Sequence, residues 1–210
     1  HCINLVADNF NRISYPCQGN FESKDFYQII NVNNDSQVNT RLRTYGPRLK
    51  GSGFDVIIGL RDVYGEEYKR LTSNERIVDI EMIKKLHAIQ IGAIESTGID
   101  CRLHYAIMEF EGWMLALIDS YISEKGYDPI ELRDRYGIID NIEEIYHPYP
   151  LVQKVFEHCG ASYHKHESET YSFLSTLSVS DYENLRLSGR CPSFTKFINS
   201  LFGHTCPSLP

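Results

Sequence analysis

Glu109 and Glu111 stand two residues apart in the segment Cys101-Arg-Leu-His-Tyr-Ala-Ile-Met-Glu-Phe-Glu-Gly-Trp-Met-Leu115. The apolar run before them predicts a buried strand over residues 101–108, and the pattern from Gly112 predicts an amphipathic helix to about Glu124. On an extended segment the two carboxylates point to one face while Phe110 points into the core. Carboxylates held that close repel each other unless a cation or a shared proton stabilises them. The pattern suits a hard cation such as Mg²⁺, which keeps several waters and needs only one or two protein carboxylates. The plain alternative is a solvated strand end. Asp62 closes an earlier apolar run, Phe54-Asp-Val-Ile-Ile-Gly-Leu-Arg-Asp62, just before Val63-Tyr64-Gly65. Ligands of open α/β sheets collect at the carboxyl ends of strands, so Asp62 is either a third acid of a shared site or a turn aspartate.

Other constellations are weaker. His158, Cys159, His164 and His166 lie within nine residues, but their spacing is not that of a zinc finger or ribbon. Gly51-Ser-Gly53 precedes a strand and lacks the Lys-Ser/Thr of a phosphate-binding loop. No Gly-x-Ser-x-Gly elbow occurs. The cysteines (Cys2, Cys17, Cys101, Cys159, Cys191 and Cys206) form no Cys-x-x-Cys pair, and they read as reduced packing residues.

The elements that must position the acids follow from periodicity. Residues 3–6 predict a short strand, and 38–49 a helix interrupted at Gly46-Pro47. Residues 54–60 predict a strand buried on both faces, as in a parallel sheet. Asn74 is the expected N-cap of a long helix to Glu95, with Ile77, Ile80, Ile83, Leu86 and Ile89 as its apolar stripe. Strand, helix, strand, helix is a βαβ pattern, which predicts a mostly parallel sheet flanked by helices. Beyond Gly126 helices are expected at 129–136 and 151–158. Another, with a Ser180-x-x-Glu183 capping box, is expected through Leu187. A last amphipathic helix opens at Pro192 and Ser193, with Phe194, Phe197, Ile198 and Leu201 on one side. The expected organisation is an α/β core over 1–126 and a mainly helical C-terminal extension over 127–210.

The 210 residues are 42% hydrophobic and 12% aromatic, enough for a sizeable core. No apolar run of about 18 residues predicts a membrane span, and no secretory signal is read, so a cytoplasmic location is expected. A formal net charge of −7 excludes passive nucleic-acid binding through the overall field, leaving only a local basic patch or a bridging metal. Arg41, Arg43, Arg48 and Lys50 form the one basic run, read as a solvated surface.

Three ordered blocks resemble a prokaryotic domain of unknown function related to the TOPRIM fold. They are Leu60-Arg-Asp-Val-Tyr-Gly65, Tyr105-x-x-Met-Glu-Phe-Glu-Gly-Trp-Met-Leu115 and Arg190-Cys-Pro-Ser-Phe-Thr-Lys-Phe-Ile198. The Glu-Phe-Glu block is the most specific of them. The resemblance implies a TOPRIM-like α/β fold that binds Mg²⁺ or Mn²⁺ through Asp62, Glu109 and Glu111 and cuts nucleic-acid phosphodiesters. It also implies a role in antiphage defence, beside a partner ATPase if the domain is a non-catalytic module. Lys154 or Lys165 would then neutralise phosphate charge. Two positions depart from the family pattern: Met108 replaces a frequent His, and the family's first strand, ending in a glutamate, has no counterpart.

Overall fold

A computed structural model describes residues 35–51, 57–96, 98 and 101–202. The expected strand at 3–6, the first residues of the expected strand at 54–60, and Cys2, Cys17 and Cys206 lie outside them. In chain order the elements are α1 (Asp35–Gly51), β1 (Ile58–Asp62), α2 (Glu66–Leu71), α3 (Ile80–Glu95) and β2 (Arg102–Ala106). There follow α4 (Phe110–Ala116), α5 (Ile118–Glu124), α6 (Pro129–Tyr136), a 3₁₀ turn (Ile142–Glu144) and α7 (Tyr149–His158). The chain continues through α8 (Glu167–Ser175), α9 (Val179–Ser188) and α10 (Pro192–Phe202). The protein is thus mostly helical, with one small parallel sheet among the described residues. None of the described helices is long and apolar enough to cross a membrane.

β1 and β2 pair in parallel, Ile58 opposite Arg102 and Asp62 opposite Ala106, so both strands end on the same side, as the βαβ pattern requires. The sheet is covered on both faces. On one, Leu103 and Tyr105 pack with Val38 and Leu42 of α1 and Ile83 and Ile94 of α3. On the other, Leu60 and Ala106 join a larger cluster with Trp113 of α4 and Phe197 and Ile198 of α10. That cluster contains residues on both sides of Gly126, so the C-terminal helices share the core of α4 and α5.

Several local expectations are corrected. Ser73 and Asn74 are left-handed (φ 55° and 61°), and Asn74 N–H donates to Lys69 C=O (2.7 Å), which closes α2. Asn tolerates that conformation because its short polar side chain bonds locally. The cap of α3 is Asp79, whose carboxylate accepts the Met82 N–H at 2.9 Å. The buried stripe of α3 is therefore Ile83, Leu86, Gln90 and Ile94, while Ile77, Ile80 and Ile89 are exposed. α1 runs unbroken through Pro47. The helix expected from Gly112 begins two residues earlier and breaks at Leu117 (φ −105°, ψ 4°) into α4 and α5. The capping box of α9 is Ser178 with Asp181, because Ser180 already lies in the helix's first turn. α10 buries Phe194, Phe197 and Ile198 as expected; the side chain of Leu201 lies outside the described residues.

Gly59 lets α1 approach the sheet. A Cβ there would meet Leu42 Cδ1 at 2.6 Å, Leu103 Cδ1 at 3.2 Å and Val38 Cγ1 at 3.3 Å. Gly59→Ala should cost about 1–3 kcal/mol by overpacking, read from urea unfolding; an unchanged midpoint would show that Leu42 turns away freely. His104 on β2 sits against Phe197 of α10 (ring centroids 5.7 Å). Burial above all, then His87, Arg102 and Lys196, lowers its pKa to about 4. The unfolded chain binds this proton more readily, so the contribution of His104 to stability is present above the ordinary value near 6.5 and is lost as pH falls towards 4. Histidine NMR titration should place His104 near 4, and a value near 6.5 would refute the burial account.

Candidate functional site

Beyond Ala106 the chain turns sharply. Met108 is buried yet left-handed, φ 62°, a conformation that costs an unbranched residue on the order of 1 kcal/mol. Two hydrogen bonds hold the turn: Tyr64 N–H donates to Met108 C=O at 2.6 Å, and Glu109 N–H to Ile107 C=O at 3.0 Å. Glu109 then takes the N-cap position of α4 in extended conformation (φ −140°, ψ 159°), but its carboxylate does not cap the helix. Glu111 lies in the first helical turn, where the helix dipole favours a negative charge. The two acids share a side as expected. The kink and the first turn of α4 bring this about, in place of the alternation of a strand.

Both acids are only 4% exposed. Such burial is costly for charged groups unless they are paired, and here every carboxylate oxygen has a donor. Lys165 Nζ bridges the pair, 2.8 Å from Glu109 Oε1 and 3.2 Å from Glu111 Oε2. His147 Nδ1–H donates to Glu109 Oε2 at 2.7 Å, and Tyr163 O–H to Glu111 Oε1 at 2.9 Å. Burial lowers the pKa of Lys165, but the charges of Glu111 and Glu109 outweigh it and hold the value above that of an ordinary lysine. The ammonium therefore stays charged at neutral pH.

Lys165 belongs to the short segment between α7 and α8. Glu169 fixes that segment by accepting the N–H groups of His164 (2.6 Å) and His166 (3.0 Å). Tyr163 C=O accepts from Gln153 Nε2 at 3.1 Å. Between these anchors Lys165 is left-handed (φ 63°), and its ammonium also lies 4.7 Å over the Tyr149 ring. On the other side of the site, His147 stacks on Tyr64 (5.0 Å, 17°), and Lys69 caps the Tyr64 ring at 4.5 Å. The Leu60–Gly65 block thus reaches the acids through Tyr64 and His147.

Of the residues singled out from sequence, Glu109, Glu111 and Lys165 come together. Asp62 ends β1 opposite Ala106, and among the described residues no group of three or more His, Cys, Asp and Glu is arranged to hold a metal. Lys154 is exposed on α7 and takes no part in the bonds to the two acids. His158 is engaged with Tyr136 O–H (3.0 Å). Described cysteines Cys101, Cys159 and Cys191 are thiols outside any disulfide, and burial pushes the Cys191 thiol up to about 12. Sequence reasoning missed His147, Tyr163 and Tyr64. The only signal for His147 was its place in Tyr146-His-Pro-Tyr-Pro150, a proline-rigidified stretch.

No family model, curated protein or solved structure matches the chain.

Tyr163→Phe removes the donor to a buried carboxylate oxygen and should cost about 1–3 kcal/mol. Adding Glu111→Gln should show coupling between the two sites in a double-mutant cycle by chemical denaturation; strict additivity would exclude the bond.

Proposed function

We propose that this chain is a TOPRIM-like, metal-dependent protein acting on nucleic-acid phosphodiesters, with Glu109, Glu111 and Lys165 at its centre. One observation carries the reading: two buried carboxylates converge on a single cation position at the end of a parallel strand pair, and the cation there is a lysine. The donor set fits a hard ion, because Mg²⁺ is held by one or two carboxylates with water and substrate phosphate completing its shell. Glu109 and Glu111 would hold Mg²⁺ or Mn²⁺; Asp62 is not needed for the fit. When bound, such an ion stabilises charge developing on a scissile phosphate and lowers the pKa of bound water.

The chain's own residues supply the rest. His147 and Tyr163 hold one oxygen of each carboxylate, which leaves the other oxygen of each to Lys165. Tyr64 holds the His147 ring in place by stacking. Lys165 provides positive charge for a phosphate oxygen, which an overall charge of −7 makes necessary. Work on phage nucleic acid in the cytoplasm belongs to the same reading, by the family resemblance.

Incubation of the purified protein with single- and double-stranded DNA and RNA tests the proposal. Cleavage should appear with Mg²⁺ or Mn²⁺, vanish with EDTA, and fall at least about a hundredfold in Glu111→Gln, beyond the usual loss for a residue that only supports a metal ligand. Intact substrates with both metals would end it. A second reading, a non-catalytic module beside a partner ATPase, draws on one observation: all four carboxylate oxygens already have protein donors, so the site is complete without an ion. It gains if cleavage is absent and Mn²⁺ leaves thermal stability unchanged.

A further inference from the structure

Lys165 carries two duties that one ammonium cannot perform at once. Two of its three N–H donors are committed to Glu109 and Glu111, yet a phosphate near the acids needs the same charge. The surroundings differ in how firmly they are held. Tyr163 is buried, and the backbone on either side of Lys165 is tied to Gln153 and Glu169. The Lys165 side chain is 42% exposed, against 5–6% for the carboxylates it bridges. Its ammonium lies over the half-buried Tyr149 ring, and because the side chain is partly exposed the head can leave towards water while the backbone stays in place.

We infer that Lys165 is an exchangeable internal cation: its ammonium neutralises the Glu109/Glu111 pair in the metal-free protein and is displaced to the surface when a divalent cation takes the pair. This rests on the metal-dependent reading above and adds to it a competition between a side chain and an ion for one place. It explains how two neighbouring carboxylates are accommodated in a buried position without metal. It also explains how a lysine becomes available to a phosphate only once the ion is present. Because the two cations exclude each other, the apparent metal affinity is reduced by the fraction of time that the ammonium occupies the pair.

The test uses Mn²⁺ binding to the full chain, followed by electron paramagnetic resonance of the free ion, in wild type and Lys165→Met. Lys165→Met should bind Mn²⁺ about tenfold more tightly, the factor for a competitor present nine-tenths of the time. It should also melt at a lower temperature without metal and recover with it. The same exchange is read in wild type by acylating lysines with an amine-reactive ester and quantifying peptides by mass spectrometry. Lys165 should become severalfold more reactive at saturating Mg²⁺, with exposed Lys154 as the internal reference. That measurement decides alone if Lys165→Met does not fold. Equal Mn²⁺ affinity in the two proteins, no binding in either, or Lys165 reactivity unchanged by Mg²⁺ would overturn the exchange. Cleavage without exchange sinks this inference and spares the nuclease reading; exchange without cleavage does the reverse.

Discussion

The ammonium of Lys165 between Glu109 and Glu111 is the interaction around which the rest of the molecule is arranged. Two carboxylates buried side by side repel each other and lose their hydration, so the first turn of α4 and the segment between α7 and α8 must meet at one point. The meeting involves residues 54 and 56 positions apart in sequence. Neither segment supplies a stable arrangement alone: α4 brings two negative charges, and the 163–166 segment brings the positive charge and one neutral donor. The remaining oxygen is satisfied from a third region, through His147.

With a two-stranded sheet among the described residues, the protein relies on helices to hold α4 still. Trp113, two residues beyond Glu111, donates its indole N–H to Ser193 Oγ of α10 at 3.0 Å and packs against Phe194 and Phe197. Glu143 of the 3₁₀ turn accepts the Ser193 N–H, which ties the start of α10 to the segment that leads on to His147. The sequence block at Cys191–Ile198 therefore acts through Trp113: it clamps the helix that carries Glu111 and contributes no group to the acids. Aromatic burial of this size, with its polar tip satisfied, is among the most stabilising packing available to a chain this small.

The left-handed turn at Met108 links the sheet to this scaffold. A strand running straight into a helix would leave Glu109 on the strand's alternation. The turn instead places Glu109 at the N-cap and Glu111 in the first turn of α4, both bonded to Lys165. Its local strain is offset by the Tyr64-to-Met108 hydrogen bond. That bond also sets the Tyr64 ring against His147.

Sequence alone determined the elements whose signal is local. The parallel strand pair, the boundaries of α6 and the amphipathic face of α10 all follow from periodicity, Pro and Gly positions and capping residues, each read within one or two helical turns. It also singled out Glu109 and Glu111, as an acidic pair at a strand-to-helix junction whose plain alternative was a solvated strand end, and it offered Lys165 beside Lys154 as a lysine for a phosphate. Where two local signals compete, as at Asn74 and Asp79 or Ser178 and Ser180, the nearer-looking cap was not the one used; hydrogen-bond geometry after folding chose between them. The apolar stripe of α3 shifted for a similar reason: Gln90, polar in isolation, is buried because Arg61 and Tyr105 satisfy it, while Ile89 is left 70% exposed. Only the tertiary structure could decide that Lys165 bridges the acids, that His147 and Tyr163 complete them, and that Tyr64, two residues beyond Asp62 at the end of β1, reaches the site through His147. Such contacts join residues dozens of positions apart, and their energy depends on burial and distance, which no periodicity in the chain records.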